Sequence, residues 1–348
     1  MKKNKYSDLK IFWFRDKLNS FRNGNILAPI YIRIKPTNKC CHNCYFCVYN
    51  YDFSKMHEKT NRVDEIPIEK MLEILEDLKS IGVKAITYSG GGEPLIHPNI
   101  LEILDKTLEL GIDLSILTNG QFITDKIAKR LVKSKWVRIS VDYFSHDSFI
   151  KSGRGNAKMF DFLVENVKSF TSMDRSCEVG VNYIITKNNY KNLIDSAEFL
   201  MSLGVNNVRY SPVWTPDFYS YHKEIEEEVI SSLESIRNQF SKSMIIYDSY
   251  KIKEDATNRK YHKCYFMQVV PVIGADLNIY NCHNKAYSND GIIGSIKDKK
   301  FSEVWFSDEV RNYFEEFRPD ISCNHQCAND KKNEYLDEII NCYGDNYV

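Results

Sequence analysis

Between about Ile30 and Tyr210 the sequence alternates short β-branched runs with amphipathic stretches of helical period. That alternation constrains the fold more than any other feature. Strand, helix and strand repeated in this way build a parallel sheet, because each crossover returns along a helix before the next strand begins. Six strand candidates follow in order: Ile30–Lys35, Ala85–Ser89, Asp113–Thr118, Val137–Val141, Glu178–Ile185 and Asn207–Tyr210. Helical spacing is carried by Ile68, Met71, Leu72, Leu75 and Leu78, by Ile100, Leu101, Leu104 and Leu108, and by Phe162, Val164, Val167 and Phe170.

Successive strand side chains face opposite sides of a sheet. One parity here is apolar, as in Ile32 and Ile34, Ile86 and Tyr88, Val137, Ile139 and Val141, or Val179, Val181 and Tyr183. The other carries Arg33, Lys35, Thr87, Ser89, Ser115, Arg138, Ser140, Asp142, Glu178, Asn182, Arg209 and Ser211. If the apolar parity packs against helices, the polar one lines an interior that a closed barrel would fill with branched apolar residues. The alternative is a set of edge-like strands with one face in water.

Cys40-x3-Cys44-x2-Cys47 follows the first strand candidate. Three thiolates on one loop can hold three irons of a [4Fe–4S] cube and leave the fourth iron open for chemistry. Cys-x2-Cys also suits zinc, and Cys44 and Cys47 with Cys323-x3-Cys327 would make a tetrahedral staple. That pairing leaves Cys40 unused and does not account for Ser89-Gly90-Gly91-Gly92-Glu93-Pro94 after the second strand. Cys41 has the wrong spacing and reads as a bystander. Cys177 begins the fifth strand at the opposite end and reads as a buried, inert thiol.

The run Pro36-Thr37-Asn38-Lys39-Cys40-Cys41-His42-Asn43-Cys44-Tyr45-Phe46-Cys47, followed by Gly91-Gly92-Glu93, resembles the cluster loop and GGE motif of the radical S-adenosylmethionine (SAM) superfamily. The resemblance implies an α/β fold, a partial (β/α)6 TIM-like barrel whose chemistry sits at the C-terminal strand ends. It implies Cys40, Cys44 and Cys47 as ligands and Phe46 as the aromatic residue before the last of them. Gly91 and Gly92 would approach the methionine end of SAM, and Glu93 would receive its ammonium group. Ser140, and Arg154 in Ser152-Gly153-Arg154-Gly155, resemble residues that bind the SAM carboxylate. Asn119 would meet the ribose; its alternative is an Asn-Gly turn that only satisfies backbone geometry. A flavodoxin or ferredoxin-type electron donor is implied as partner.

Cys264-x9-Gly274-x7-Cys282, then Cys323-x3-Cys327, resembles the auxiliary-cluster extensions called SPASM and twitch domains. With only Cys342 to spare, the pattern is similar to the smaller twitch type, with a second, auxiliary [4Fe–4S] cluster. Zinc stays open, since four cysteines fill a tetrahedral site equally well. His283 and His325 read as neighbours of the ligands. The implied domains are an N-terminal extension over 1–28, a radical SAM partial barrel over 29–250 and a SPASM/twitch-like region over 251–348. A charged helix, Glu224–Gln239, and a polar linker near Lys253–Lys263 would join the last two. Ile11, Phe12, Phe14 and Leu18 read as one packing helix.

Acidic and basic residues balance at 47 each, so no basic excess exists to neutralise nucleic-acid phosphates. No apolar stretch approaches the roughly 20 residues that span a bilayer, and no secretory leader is visible. The expectation is a cytoplasmic protein with no membrane partner, whose ten cysteines serve as ligands or core residues. The expected activity is hydrogen abstraction from a polar, carbohydrate-like or nucleotide-linked small molecule, ending in dehydrogenation or epimerisation. The alternatives are a peptide-modifying enzyme and a zinc-stapled binding protein without catalysis.

Overall fold

The computed structural model describes residues 7–252, 254 and 258–342. Parts of the expected linker (253 and 255–257) and both chain ends lie outside the described residues. The six expected strands are all present: β1 (Tyr31–Ile34), β2 (Ala85–Tyr88), β3 (Asp113–Thr118), β4 (Trp136–Ser140), β5 (Glu178–Ile185) and β6 (Asn207–Pro212). They pair in sequence order, all parallel. Crossover helices are α1 (Ile68–Ser80), α2 (Ile100–Glu109), α3 (Asp125–Leu131), α4 (Ala157–Ser172) and α5 (Leu193–Ser202).

The sheet extends beyond the six. Helix α6 (Glu226–Phe240) leads to β7 (Ile245–Asp248), which pairs parallel with β6. At the other side β8 (Val272–Ile273) pairs parallel with β1, and β9 (Asn278–Tyr280) and β10 (Ile292–Ser295) follow antiparallel. The order is therefore β10-β9-β8-β1-β2-β3-β4-β5-β6-β7. The C-terminal cysteine region thus continues the barrel sheet through the edge of β1. β8 and β9 escaped the sequence reading because two or three residues are too few for a period-two signature, and β7 (IIYD) and β10 (IIGS), as long as β1 and β2, do not alternate apolar with polar residues.

The parity reading is carried by the burial pattern. Ile32, Ile34, Ile86, Ile139, Val179 and Val181 are fully buried in one core with Met71, Ile74, Leu75 and Leu78 of α1. Lys35, Thr87, Ser115 and Arg138, of the opposite parity, are buried too, so they do not face water. Thr87 and Ser115 share a 2.8 Å hydrogen bond between neighbouring strands. Loops at the C-terminal strand ends meet across this interior: the Tyr45 hydroxyl donates to Thr186 Oγ1 at 3.1 Å, and Trp214 Nε1 to the Ser54 carbonyl at 3.2 Å. The sheet is curled around a polar centre.

One helical assignment needs correction. Phe162 is 48% exposed, and α4 buries Phe160, Leu163, Val167 and Phe170 instead, a set that keeps the three- and four-residue spacing Phe162 breaks. At the N-terminus a 3-10 turn (Asp8–Trp13) and a helix (Arg15–Arg22) replace the single expected helix. Ile11 and Phe21 pack with Tyr265, Val269, Val270 and Leu336, and Leu336 lies on the terminal helix α7 (Asp330–Asn341). Cys177 is buried in the main core ahead of β5, as its inert reading requires.

Candidate active site

The cysteine loop leaves β1 at its C-terminal end and turns tightly, with Cys47 N donating to Cys44 O at 3.2 Å and Asn50 N to Cys47 O at 2.8 Å. Cys40 is exposed; Cys44 and Cys47 are half-buried. The glycine run lies alongside the start of this loop, with Gly92 N on Thr37 O at 3.1 Å and Glu93 N on Lys39 O at 2.8 Å. A Cβ on Gly91 would fall 1.7 Å from Asn38 Oδ1, and one on Gly92 1.9 Å from Lys39 O. The glycines are therefore required by close approach to the cysteine loop itself. On the far side Asn43 N donates to Gly153 O at 2.9 Å, where Gly153 has φ of +81° and no room for a side chain.

Glu93 is buried, and burial pushes its carboxyl up to about 7 against the hydrogen bonds that favour its charge. Oε1 accepts from Thr118 Oγ1 at 2.6 Å and Leu95 N at 3.0 Å, and Oε2 from Asn119 N at 2.6 Å. Glu93 thus ties the second strand end to the third. Asn119 Oδ1 accepts from Gln121 N at 2.9 Å, the turn geometry of its alternative reading, while Nδ2 donates to Cys41 Sγ at 3.3 Å. Cys41 also bonds the Cys40 thiol, which that bond pulls down to about 6.

Arg154 is buried, with two of its arms on Asp142 and Nη1 3.3 Å from His42 Nδ1. His42 is driven down to about 3, first by burial and then by Arg154, so it stands neutral in the loop between Cys40 and Cys44. The Phe46 ring lies 6.0 Å from the Arg154 guanidinium carbon. Ser140 is half-buried at the end of β4, in register with Asn182. The sequence reading named Arg154 without its Asp142 and His42 partners, because they come from three separate segments.

The four C-terminal thiols of the second set are half-buried. Cys264, Cys323 and Cys327 all act on Cys282, and burial followed by these neighbours pushes Cys264 up to about 12 and Cys282 higher still. Cys342 is exposed and bonds Ile339 O, outside this group. Gly274 leaves no space for a side chain, with Asp276 Oδ1 at 2.3 Å from where a Cβ would sit. Arg259, which the sequence reading passed over, donates to the carbonyls of Cys323 and His325 and holds that loop in place. Asn333 Nδ2 on α7 donates to Cys264 Sγ at 3.4 Å, and Asn329 N to Cys327 Sγ at 3.4 Å.

Lys35 is buried in the barrel interior. Its Nζ donates to Gly90 O at 3.0 Å and to the Tyr49 hydroxyl, over the Tyr49 ring at 4.2 Å and the Tyr287 ring at 5.2 Å. Burial, then the charge of Arg33, pushes it down to about 7, opposed by Cys47 and Cys282. Burial lowers His283 strongly, helped by Arg33, Lys35, His57 and His325.

Among the described residues no three His, Cys, Asp or Glu side chains converge as ligands of one metal ion. A tetrahedral zinc would need its sulfurs about 3.8 Å apart, given Zn–S near 2.3 Å. A cube spreads its thiolates wider, and soft thiolates on a tightly turned loop suit it. No helix among the described residues is long and apolar enough to cross a membrane.

The Radical SAM superfamily model matches residues 34–200. The chain is 24% identical over 357 residues to a tungsten-containing aldehyde ferredoxin oxidoreductase cofactor-modifying protein of Pyrococcus furiosus, covering 90% of this chain and 92% of that one. It is 32% identical over 125 residues to a GTP 3',8-cyclase of Clostridium acetobutylicum, covering 35% of this chain and 37% of the cyclase. Among solved structures, Streptococcus suis SuiB bound to precursor peptide SuiA superposes with a TM-score of 0.64 at 20% identity, over 91% of this chain and 73% of that one. At that identity the likeness is one of fold.

Proposed function

With residues 34–200 a radical SAM superfamily domain, we propose that this enzyme removes hydrogen from a polar, carbohydrate-like or nucleotide-linked small molecule, in a dehydrogenation or an epimerisation. When bound, a [4Fe–4S] cluster supplies the electron that cleaves SAM to methionine and a 5′-deoxyadenosyl radical, the species that abstracts hydrogen from carbon. Cys40, Cys44 and Cys47 would hold it, and Gly91 and Gly92 keep that loop seated. Glu93, Ser140, Arg154 and Asn119 are proposed for the ammonium, carboxylate and ribose of SAM. Cys264, Cys282, Cys323 and Cys327 are proposed to hold an auxiliary cluster that receives the substrate's electron. The region 251–348 would be its domain, after a barrel over 29–250 and an extension over 1–28. The protein is proposed to be cytoplasmic and to take electrons from a flavodoxin or ferredoxin-type donor.

The observation that carries this reading is the polar barrel interior, where Lys35, Thr87, Ser115 and Arg138 are buried together and Lys35 Nζ donates to Gly90 O at 3.0 Å, beside the glycine run. A polar small molecule would find partners there. Cys40→Ala, Cys44→Ala and Cys47→Ala should each abolish formation of 5′-deoxyadenosine from SAM under reducing conditions, while Cys41→Ala retains it. Retention of cleavage in a Cys44→Ala variant would sink the assignment.

A second reading, peptide modification, is supported by the SuiB likeness, which extends over 91% of this chain. A bound peptide would need an open groove past Tyr45 and Trp214, whose bonds to Thr186 and Ser54 now bridge the loops.

A further inference from the structure

We propose that Arg33 and Lys35 form a subsite for a doubly charged phosphoryl group, phosphate or pyrophosphate, on the substrate of this barrel. The inference deepens the reading above and rests on it for the site's catalytic purpose. Both residues leave the inner side of β1, alternating with the fully buried Ile32 and Ile34, and β1 lies between β2 and β8 in the sheet. Arg33 is held from both flanks, in register with Thr87 and with Val272.

Two cations on one strand, two residues apart, repel each other and cost desolvation energy unless an anion meets them. The groups that act on Arg33 most strongly besides burial are Tyr31, Tyr49 and Cys282, none of them a carboxylate. Arg33 Nε is buried and has no hydrogen-bond partner. Lys35 spends its donors on a carbonyl and a phenol, both neutral. The carboxylate whose charge reaches Lys35, Asp276, is already engaged by Asn278 Nδ2 at 2.8 Å and Tyr280 Oη at 2.6 Å. The imidazole of His57, close enough to feel Lys35, gives its Nδ1 proton to the Ala286 carbonyl and adds no charge. A planar guanidinium fork beside a point ammonium matches phosphoryl oxygens.

The cations have one competing use, which is to balance the negative charge of thiolates at Cys47 and Cys282. Equilibrium dialysis of the anaerobically prepared holoenzyme with inorganic pyrophosphate, and separately with succinate, distinguishes the two. We expect saturable pyrophosphate binding at one site per chain, tighter than succinate. Arg33→Gln and Lys35→Met should each weaken it at least about tenfold, as loss of a charge-assisted bond in a buried site requires. Arg33→Lys, which keeps the charge and guards against a folding artefact, should recover part of it. Absence of saturable binding, or binding unchanged in Arg33→Gln, overturns the proposal. So does a shift of cluster reduction potential in Arg33→Gln with anion binding intact, because the pair would then serve the thiolates. Succinate binding as tightly as pyrophosphate overturns the phosphoryl assignment. Cleavage of SAM by the unmodified enzyme in the same preparation tests the broader reading separately: anion binding without cleavage would remove that reading and leave the subsite.

Discussion

Arg154 holds Asp142 with two arms, Nη2 at 2.8 Å from Oδ2 and Nε at 3.1 Å from Oδ1, in a pair sealed from solvent. Its third arm reaches His42, so the pair anchors the cysteine loop from beneath. Removing one partner of such a pair leaves a buried charge uncompensated. Asp142→Asn should destabilise the protein by about 3–5 kcal/mol, whereas replacing both residues by apolar ones of similar volume should cost much less. Urea denaturation of the single and double variants gives the comparison.

Gly91 offers a steric test of the loop. Its missing Cβ is 1.7 Å from Asn38 Oδ1, so Gly91→Ala must push Asn38 away from its bonds to Tyr287 and Asn61. We expect a loss of about 1–3 kcal/mol from overpacking and reduced iron after anaerobic reconstitution. Gly91→Ala combined with Asn38→Ala should regain part of the iron. A double variant no better than the single one would argue that the glycine serves the ligand rather than the loop.

The first six strands and their helices were legible because an apolar parity of period two and an apolar stripe of period 3.6 are local signals. β7 to β10 were not, since β8 and β9 have only two or three residues and β7 and β10 do not alternate apolar with polar ones. The four auxiliary cysteines were grouped by their resemblance to auxiliary-cluster domains, and Cys264, Cys323 and Cys327 are near enough to act on Cys282 electrostatically. What spacing could not give was the use made of each motif. The glycine run meets Asn38 and Lys39, about fifty positions earlier, and Glu93 caps the turn at Asn119. Arg259 carried no pattern at all, because its partners are carbonyls of a loop far along the chain.

Lys17 sets a pH dependence. Its buried Nζ donates to Leu27 O at 2.9 Å and Ala28 O at 3.3 Å, and burial lowers its pKa from 10.5 to about 7. Between those values the unfolded chain binds a proton that the folded one has released, so stability rises as pH increases from about 7 toward 10.5. The slope from this group approaches about 1.4 kcal/mol per pH unit. Lys17→Met should reduce the slope in that window, leaving the similar contribution of Lys35, which is also lowered to about 7. Identical profiles for the two proteins, by urea denaturation, would contradict the assignment.

Two separate sets of thiolates are proposed to hold two clusters, one for cleavage of SAM and one for the substrate's electron. Iron and sulfide analysis of a Cys323→Ala/Cys327→Ala variant, with SAM cleavage measured in parallel, tests it most directly. Iron and sulfide should fall from about eight atoms of each per chain toward about four, as one of two cubes is lost. Slow cleavage of SAM should persist while substrate turnover disappears. Loss of one zinc with all iron retained would contradict it and make the C-terminal cysteines a structural staple.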